Sequence, residues 1–403
     1  MNVLEGVAVH PCTSCQMCGA VCPNGAISIS LDREGYYRPS VDSSLCIDCG
    51  LCTKFCYKFD GDIKKTSEDD ICHTRLFAAA AKDDNVIRNT TSGGIADLLA
   101  ASLIKKGYKV IGASYKPDSN SVVHEVATTL EETQNFRGSK YIQSYSIDAF
   151  KALVEGNKEE KYAVFGLPCQ IYAISRYLER VHKRDKCILI DLYCHGCPSM
   201  LVWDRVSEAI RLKLHADTFS SVNWRSKYRG WGSFVLEAVA DNGKRYVSKP
   251  LSNEFFDFFF SNQLLNESCN DCKLRGTLAY TDIRLGDFWG KEYDKTFRGM
   301  SGVSVVTEKG ESVFYEIKDE IDITEKEYAA FLPFQSWDHI YQVNQELRMQ
   351  LMGLLQDNNT TLYQCVAPIK KSRSSSEKFK LIVKQVLCFL PDSIERRIRM
   401  IIK

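Results

Sequence analysis

The fold of the N-terminal segment is decided by two stretches, Cys12-Thr-Ser-Cys15-Gln-Met-Cys18-Gly-Ala-Val-Cys22 and Cys46-Ile-Asp-Cys49-Gly-Leu-Cys52-Thr-Lys-Phe-Cys56. Both follow the spacing C-x2-C-x2-C-x3-C, so they form an internal repeat. Three closely spaced thiolates can wrap three corners of a cubane iron–sulfur cluster, and the fourth cysteine of each run then binds the other cluster. This exchange of ligands would tie the two halves of the repeat together.

The spacing predicts two [4Fe-4S] clusters. A zinc site is the weaker interpretation, because zinc usually binds two separated pairs of ligands rather than one dense run of cysteines written twice. The first cluster would be held by Cys12, Cys15, Cys18 and Cys56, and the second by Cys46, Cys49, Cys52 and Cys22.

This segment resembles bacterial two-cluster ferredoxins, including Pro23 directly after the first run. One departure is Tyr57, where that pattern often has proline. The resemblance implies an α+β ferredoxin domain over residues 1–65 that transfers single electrons. Such a domain is small for a core of its own, so the clusters would supply much of its folding energy.

Length and composition exclude several classes of protein. At about 150 residues per domain, 403 residues suggest two or three domains. The net charge of +1 gives no overall field for nucleic acid. There is neither an export signal nor an apolar run of the roughly 18 residues that a membrane span needs, so we expect a cytoplasmic protein. In that reducing compartment, many of the 17 cysteines should bind metal rather than form disulfides.

The rest of the chain predicts an α/β domain with a mostly parallel sheet, because strand, tight loop and helix recur. We divide it into residues 72–150 and 158–330, with a polar linker before it. The expected strands are 109–115, 162–167, 187–193, 282–285 and 303–306, the expected helices begin at 95, 168 and 199, and 236–247 should form a hairpin. The run Phe255–Phe260 is expected to be a helix packed into the core.

Unusual residues follow the predicted strands, where open α/β sheets bind their ligands. Cys169 and Cys194 follow two strands, and Cys269 and Cys272 form a separate C-x2-C pair. These four thiols could hold a third cluster. The alternatives are that the single cysteines are core residues and that the pair binds zinc or does redox chemistry.

The order of motifs resembles the coenzyme F-420 hydrogenase and dehydrogenase beta-subunit family. The matching pieces are Thr91–Gly94, Gly138–Tyr141, Gly166–Gln170, Tyr193–Gly196, Pro198-Ser199, Trp224–Lys227, Gly230-Trp231, Ser268–Cys272 and Asp282–Gly290. The family implies one FAD and a third [4Fe-4S] cluster on Cys169, Cys194, Cys269 and Cys272. Cys197 departs from the pattern, so the choice of Cys194 over Cys197 as ligand stays open.

The candidate flavin site begins at Ser92, Gly93 and Gly94, a turn that opens a helix and could bind the pyrophosphate. A helix cap with flexible glycines is the alternative, and the usual G-x-G-x-x-G fingerprint is absent. The segment Gly138-Ser139-Lys140-Tyr141 offers a cation and an aromatic ring near the flavin, or else is a surface loop. A positive charge there would stabilise anionic reduced flavin.

Four further residues complete the predicted site. Arg225 and Lys227 would bind phosphates or an acidic substrate, unless they form a solvated face. Asp287 would hold a ribose hydroxyl or orient a ligand, unless it is a turn aspartate. His195, next to Cys194, is a candidate proton donor with Lys140 as the second catalytic candidate; a lone histidine is more often structural.

The C-terminal extension, residues 331–403, should be helical and basic, since residues 370–403 hold ten Lys and Arg against three acids. Pro391 would divide two amphipathic helices. Attachment to an anionic membrane face is one interpretation; docking on the body or on a partner is favoured.

Together these features predict an iron–sulfur flavoprotein oxidoreductase. Electrons would pass between the ferredoxin clusters, the third cluster and FAD, and on to or from an organic or deazaflavin-like substrate. The partner would be another redox protein. The alternative is an electron-relay or accessory subunit of a larger complex, without its own substrate site, linked to surface-polysaccharide synthesis as in some bacterial relatives.

Overall fold

The computed structural model describes residues 2–7, 11–250, 253–290, 292–293, 296–387 and 390. The strands are β1 (Ile27–Leu31), β2 (Tyr37–Val41), β3 (Arg75–Ala81), β4 (Lys109–Lys116), β5 (Ser121–Ala127), β6 (Ser144–Tyr145), β7 (Tyr162–Phe165), β8 (Cys187–Leu192), β9 (Phe219–Ser226), β10 (Val235–Ala240), β11 (Arg245–Val247), β12 (Ile283–Asp287), β13 (Ser301–Val305) and β14 (Ile321–Lys326). The helices are α1 (Val3–Val7), α2 (Met17–Ala20), α3 (Leu51–Lys54), α4 (Glu68–Cys72), α5 (Asp84–Asn89), α6 (Ile95–Lys105), α7 (Leu130–Thr133), α8 (Ile147–Glu155), α9 (Pro168–Arg180), α10 (Met200–Leu214), α11 (Glu254–Ser261), α12 (Glu308–Tyr315), α13 (Gln345–Gln356), α14 (Leu362–Ser372) and α15 (Ser375–Leu387).

A nine-stranded sheet forms the centre of the molecule and confirms the predicted α/β class. Its order is β14-β3-β13-β12-β8-β7-β4-β5-β6. The four central strands β12, β8, β7 and β4 are parallel, because helices connect them across the sheet faces. The flanking pairs β12–β13, β13–β3, β3–β14 and β4–β5 are antiparallel. The predicted hairpin is also present, as β10 paired with β11.

The ferredoxin segment has the predicted α+β form, with β1 paired antiparallel to β2. The short helices α2 and α3 each begin after a residue with positive φ, Gln16 at 66° and Gly50 at 72°. These left-handed residues lie inside the two cysteine runs. They reverse the chain so that the cysteines before and after them face the same space.

This segment is packed into the body of the protein. Met17, Phe55 and Tyr57 belong to one hydrophobic cluster with side chains of β4, β7 and α9. The Tyr36 hydroxyl donates to the Leu264 carbonyl at 3.0 Å, and the Met200 amide donates to the Gly35 carbonyl at 2.9 Å. The small core that we predicted for residues 1–65 is therefore extended by apolar surface borrowed from the α/β domain.

A second core lies between the three-stranded sheet β11-β10-β9 and the helices α10, α11, α13 and α14. The phenylalanine run forms α11 as predicted, and all but Phe260 are buried. The extension thus docks through α13 and α14. Along α15, however, Phe379 and Ile382 are 68% and 58% exposed. Pro391 and the second predicted basic helix lie outside the described residues, and among the residues described no helix is long and apolar enough to cross a membrane.

Candidate functional site

The four predicted ligands of the first cluster line one small cavity together with Tyr37, Phe55 and Cys52. Burial, together with the neighbouring thiols, raises the pKa of Cys15 to about 11 and that of Cys56 to about 12. Thiols in this setting ionise readily only when a positively charged centre binds them, because ligand cysteines must lose their protons. The four side chains contributed by both runs therefore meet as the spacing predicts.

The four predicted ligands of the second cluster line another small cavity, near Pro23, Leu45 and Ile47. Cys49 is exposed, so this group lies at the surface. Cubane ligands bind different iron atoms and stand farther apart than ligands of one zinc ion. Within the described parts of the chain, no three Cys, His, Asp or Glu side chains are close enough to hold a single metal ion.

A third group contains five thiols rather than four. Cys169 lies at the start of α9, Cys194 and Cys197 follow β8, and Cys269 and Cys272 lie in the loop before β12. Burial raises the pKa of the Cys194 thiol to about 12, and Cys269 and Cys272 add to that effect. The same two cysteines face Cys197. The structure thus brings all the predicted ligands together and leaves open the choice between Cys194 and Cys197.

Arg275 fixes the loop that carries this third group. Its guanidinium donates to the carbonyl of Cys269 and, at 2.7 Å each, to the carbonyls of His195 and His339. The side chain is 4% exposed and lies against the Tyr341 ring. One buried cation therefore ties the C-x2-C pair to the loop after β8.

The three groups of thiols are arranged in series. Burial is the main cause that raises the pKa of Cys18 in the first group, followed by the thiols of its own group. Cys52, of the second group, raises it as well. Cys15, of the first group, is the foremost thiol that raises the pKa of Cys169 in the third, after burial. The series runs from the protein surface at Cys49 to the interior at Cys194.

A cavity of about 470 Å³ adjoins the inner end of this series. Its wall includes the residues that end β7, β8 and β12, where parallel sheets bind ligands. Nine of the residues predicted to bind the flavin or to act in catalysis line it: Ser92, Gly94, Gly138, Ser139, Lys140, Tyr141, His195, Arg225 and Asp287. Cys194 and Cys197 lie in the same wall, so the third group of thiols borders the cavity directly.

The turn before α6 forms one side of this cavity. Gly94 and Gly138 have positive φ angles, of 82° and 77°. If Gly138 carried a Cβ, the nearest atom to it would be Thr91 Oγ1, at 3.9 Å. The Ser139 amide donates to the same Thr91 Oγ1 at 2.7 Å, which joins the two loops. The Ser92 hydroxyl donates to the Met300 carbonyl at 2.8 Å. The Ser92 hydroxyl and the Ser139 amide are therefore used within the protein, while the space beside Gly138 is open.

Two predicted site residues are placed behind the cavity wall. The Gly93 amide donates to Ser301 Oγ, and a Cβ on Gly93 would stand 2.3 Å from the Ala79 carbonyl oxygen. Lys227 Nζ donates to the carbonyls of Ile87 and Ser92 at 2.6 Å each. Neither residue is among those that line the cavity. Both hold the turn in place.

Lys140 supplies a cation at the cavity wall, and its hydrogen-bond partners among the described residues include no carboxylate. Its Nζ donates to the carbonyls of Asn135 and Arg137, at 3.0 and 2.8 Å. Burial lowers the pKa of Lys140 to about 7. A bound anion would favour the charged form and restore a higher pKa.

Arg225 and Asp287, which also line the cavity, form a buried ion pair. Arg225 Nη1 also donates to the Tyr141 hydroxyl at 3.1 Å, and the guanidinium lies against the rings of Phe234 and Trp289. Arg225 Nε is buried and has no hydrogen-bond partner among the described residues. Such an unmatched donor is costly unless a ligand accepts its hydrogen bond.

His195 is held through both ring nitrogens. Nε2 lies 2.7 Å from Asn262 Oδ1, and Nδ1 lies 2.9 Å from the Tyr341 hydroxyl. Burial lowers the pKa of His195 to about 4, so the imidazole is neutral near pH 7. A neutral ring could still pass a proton through a hydrogen bond, and that catalytic role stays a prediction.

Several cavity residues escaped prediction as site residues. Thr91 and Gln170 lie inside motifs that we quoted, so those motifs contained the signal. His124, on β5, has Nδ1 2.8 Å from the Ser144 hydroxyl. Phe334 and Gln335 come from the extension that begins at residue 331. Nothing in the spacing of these last three residues marks them as neighbours of the others.

Comparison with known proteins gives two matches to family models. Residues 159–330 match the model for the C terminus of the beta subunit of coenzyme F420 hydrogenase/dehydrogenase. Residues 11–60 match a 4Fe-4S dicluster domain.

Two curated proteins have sequences similar to that of this chain. The F(420)H(2) dehydrogenase of Methanosarcina mazei has an F subunit that is 24% identical over 337 residues, which are 80% of this chain and 87% of that protein. The coenzyme F420 hydrogenase subunit beta of Methanococcus voltae is 28% identical over 124 residues, 29% of this chain and 44% of the relative. Among solved structures, a chain of the F420-reducing [NiFe] hydrogenase complex from Methanosarcina barkeri aligns with a TM-score of 0.45 and 16% identity, covering 78% of this chain and 93% of that one.

Proposed function

Since this chain joins a 4Fe-4S dicluster domain to the beta-subunit domain of the coenzyme F420 hydrogenase and dehydrogenase family, we propose that it is an FAD-containing oxidoreductase with three [4Fe-4S] clusters. Redox electron transfer follows from the family. The flavin, the third cluster, an organic or deazaflavin-like substrate and a cytoplasmic location are the proposal.

One observation carries this proposal: two thiols of the third group, Cys194 and Cys197, lie in the wall of the cavity that the predicted flavin residues line. A cluster on Cys169, Cys269, Cys272 and either Cys194 or Cys197 would therefore stand beside any ligand in that cavity. Because the three groups are arranged in series, electrons from the surface would reach the ligand through protein-bound iron.

The cavity residues fit a flavin dinucleotide. The turn at Gly94, which begins α6, and the open backbone at Gly138, together with the Lys140 ammonium, suit the pyrophosphate. The unmatched Arg225 Nε offers a donor to the ligand, and Phe234 and Trp289 position that guanidinium. When bound, FAD would supply the step between one-electron and two-electron chemistry. The chain itself orients the ligand, excludes water and holds the fixed charges.

A redox partner would bind over the second cluster. Cys49 is exposed there, and the same small cavity is lined by Leu45 and Ile47, which are 47% and 61% exposed. Residues 41–50 include Asp42 and Asp48 and no basic side chain. An apolar centre with a charged rim is typical of small, transient interfaces. We infer a single-electron carrier whose surface around its cofactor is positively charged.

A second candidate function is an electron-relay or accessory subunit whose substrate site lies on another protein. The two curated relatives favour it, since each is one subunit of a larger enzyme. The cavity argues for the first function, because a relay needs no space beside its innermost cluster. Turnover of a small molecule by the isolated chain would separate the two.

The test is anaerobic purification followed by reduction in a stopped-flow spectrometer. We expect flavin absorbance to bleach after the clusters are reduced. The double variant C269S/C272S should lose about a third of the iron, because one of the three cubane clusters would be missing. Its flavin should be reduced at least tenfold more slowly. The control C12S/C15S should keep the flavin bound. Equal flavin reduction in C269S/C272S and the unmodified chain would refute the proposed path.

A further inference from the structure

Tyr57 occupies an unusual place between two groups of thiols. It directly follows Cys56, the last ligand of the first cluster, where the ferredoxin pattern often has proline. The side chain is 5% exposed. Its hydroxyl is buried and has no hydrogen-bond partner within the described parts of the chain.

The surroundings of this hydroxyl belong to the third group of thiols. Cys272, Cys169 and Cys269 are the titratable groups that face it. The backbone around Tyr57 forms a short 3-10 helix packed against α9, which begins at Pro168, next to Cys169. On its other side, the ring meets the Tyr172 ring edge-on at 6.0 Å. The hydroxyl therefore reaches across the junction from the first cluster toward the third.

A buried hydroxyl without a partner destabilises the fold, so its retention needs an explanation. We propose that Tyr57 donates a hydrogen bond from its hydroxyl to the Cys272 thiolate of the third cluster and raises the reduction potential of that cluster. This rests on the proposed third cluster. Hydrogen bonds to cluster sulfurs stabilise the more negative, reduced state, and they are among the features that set cluster potentials.

This hydrogen bond would affect how an electron distributes between the first and third clusters. The first and third clusters are neighbours, through Cys15 and Cys169. A donor directed at the third cluster alone lowers the energy of an electron on the cavity side of the junction. Tyr57 acts through the cluster ligand and does not touch the substrate, so it is a positioning residue.

The experiment compares Y57F with Y172F in the full chain. Tyr172 is a matched control, because its ring contacts Tyr57 while its hydroxyl bonds Asp60 instead of facing the thiols. Cluster midpoints are measured by redox titration with electron paramagnetic resonance. The midpoint that disappears in C269S/C272S identifies the third cluster. We expect Y57F to keep all its iron and to lower this midpoint alone, and Y172F to leave it unchanged.

A second measurement reports the hydrogen bond itself. Electron–nuclear double resonance on the reduced third cluster should show an exchangeable proton that is lost in heavy water and is absent from Y57F. Unchanged midpoints in Y57F, or an equal shift in Y172F, would overturn the role of Tyr57. If the unmodified chain bound only about eight iron atoms, as two cubane clusters require, the proposal of a third cluster would be refuted, and with it the basis for the role of Tyr57.

Discussion

Cys15 and Cys169 face each other across the junction between the ferredoxin segment and the α/β domain. Burial raises the pKa of the Cys169 thiol, and Cys15 is the foremost of the thiols that raise it further. One is a predicted ligand of the first cluster and the other of the third. If both predicted clusters are present, the proximity of these two cysteines would make the first and third clusters neighbours on one electron-transfer path.

The five-thiol group leads to a prediction about ligand choice. We expect C194S to lose the iron of the third cluster, about a third of the total, and C197S to keep it, because the family motif assigns Cys194. Iron and sulfide counts after anaerobic purification measure both. Loss of iron in C197S with retention in C194S would reverse the assignment while leaving the cluster in place.

Lys140 should make flavin binding depend on pH. Burial lowers its pKa to about 7, so the free protein loses this cation as the pH rises above 7, while the flavin pyrophosphate stays anionic. We expect FAD affinity to fall between pH 7 and 9. K140M should bind about tenfold more weakly at pH 6, which is about 1.4 kcal/mol, and should show little pH dependence. Flavin fluorescence at equilibrium measures both proteins.

The same lysine affects folding stability in a defined direction. Its pKa in the folded protein lies below the ordinary value of 10.5, so the unfolded chain binds more protons between about pH 7 and 10.5. The contribution of Lys140 to stability therefore rises with pH across that window. If K140M without flavin showed the same rise in urea midpoint as the unmodified chain, another group would be responsible.

Removing the acidic rim around the second cluster should slow electron exchange with a basic carrier. We expect D42N/D48N to lower the rate of cytochrome c reduction several-fold at low salt and to flatten its dependence on ionic strength, since charge steers association. The control is E68Q/D69N, which alters exposed acids of α4.

A non-kinetic readout accompanies that test. Carbodiimide joins carboxylates to lysines in contact, so cross-linked peptides should contain Asp42 or Asp48. An equal loss of rate in the control variant, or cross-links confined to other surfaces, would contradict the docking surface.

Gly93 should be intolerant of any side chain. A Cβ would stand 2.3 Å from the Ala79 carbonyl oxygen, which belongs to the backbone of β3 and cannot move aside easily because β3 is paired on both sides, with β13 and β14. We expect G93A to lower the free energy of unfolding by about 2–3 kcal/mol, as other overpacked sites do. G61A is the matched control, since nothing lies within 4 Å of its Cβ position. Chemical denaturation of both variants should show a loss only in G93A.

Local signals in the sequence explain much of the fold. The cysteine spacing determines the ferredoxin loops, and the helices after Gly94, Leu167 and Ser199 begin where the residue types predict. The order of strands in the sheet depends on long-range packing and could not be deduced in this way. β14 and β13 flank β3, yet nothing in those short segments specifies antiparallel pairing with a strand more than 200 residues earlier.

The site was predictable where its residues lie in compact motifs. The cysteines and the glycine turns carry local patterns that geometry requires. Gly93 and Lys227 belong to those patterns but support the wall from behind, and spacing alone cannot distinguish lining from support. Gln335 reaches the cavity from a segment without any motif, because tertiary packing alone brings it there.

The iron, sulfide and flavin content of the purified chain shows whether three clusters stand beside a flavin. Chain purified without oxygen should contain about twelve iron atoms, about twelve inorganic sulfides and one FAD, as three cubane clusters beside a flavin require. Zinc in place of iron, or colourless protein that releases no flavin on heating, would contradict the account.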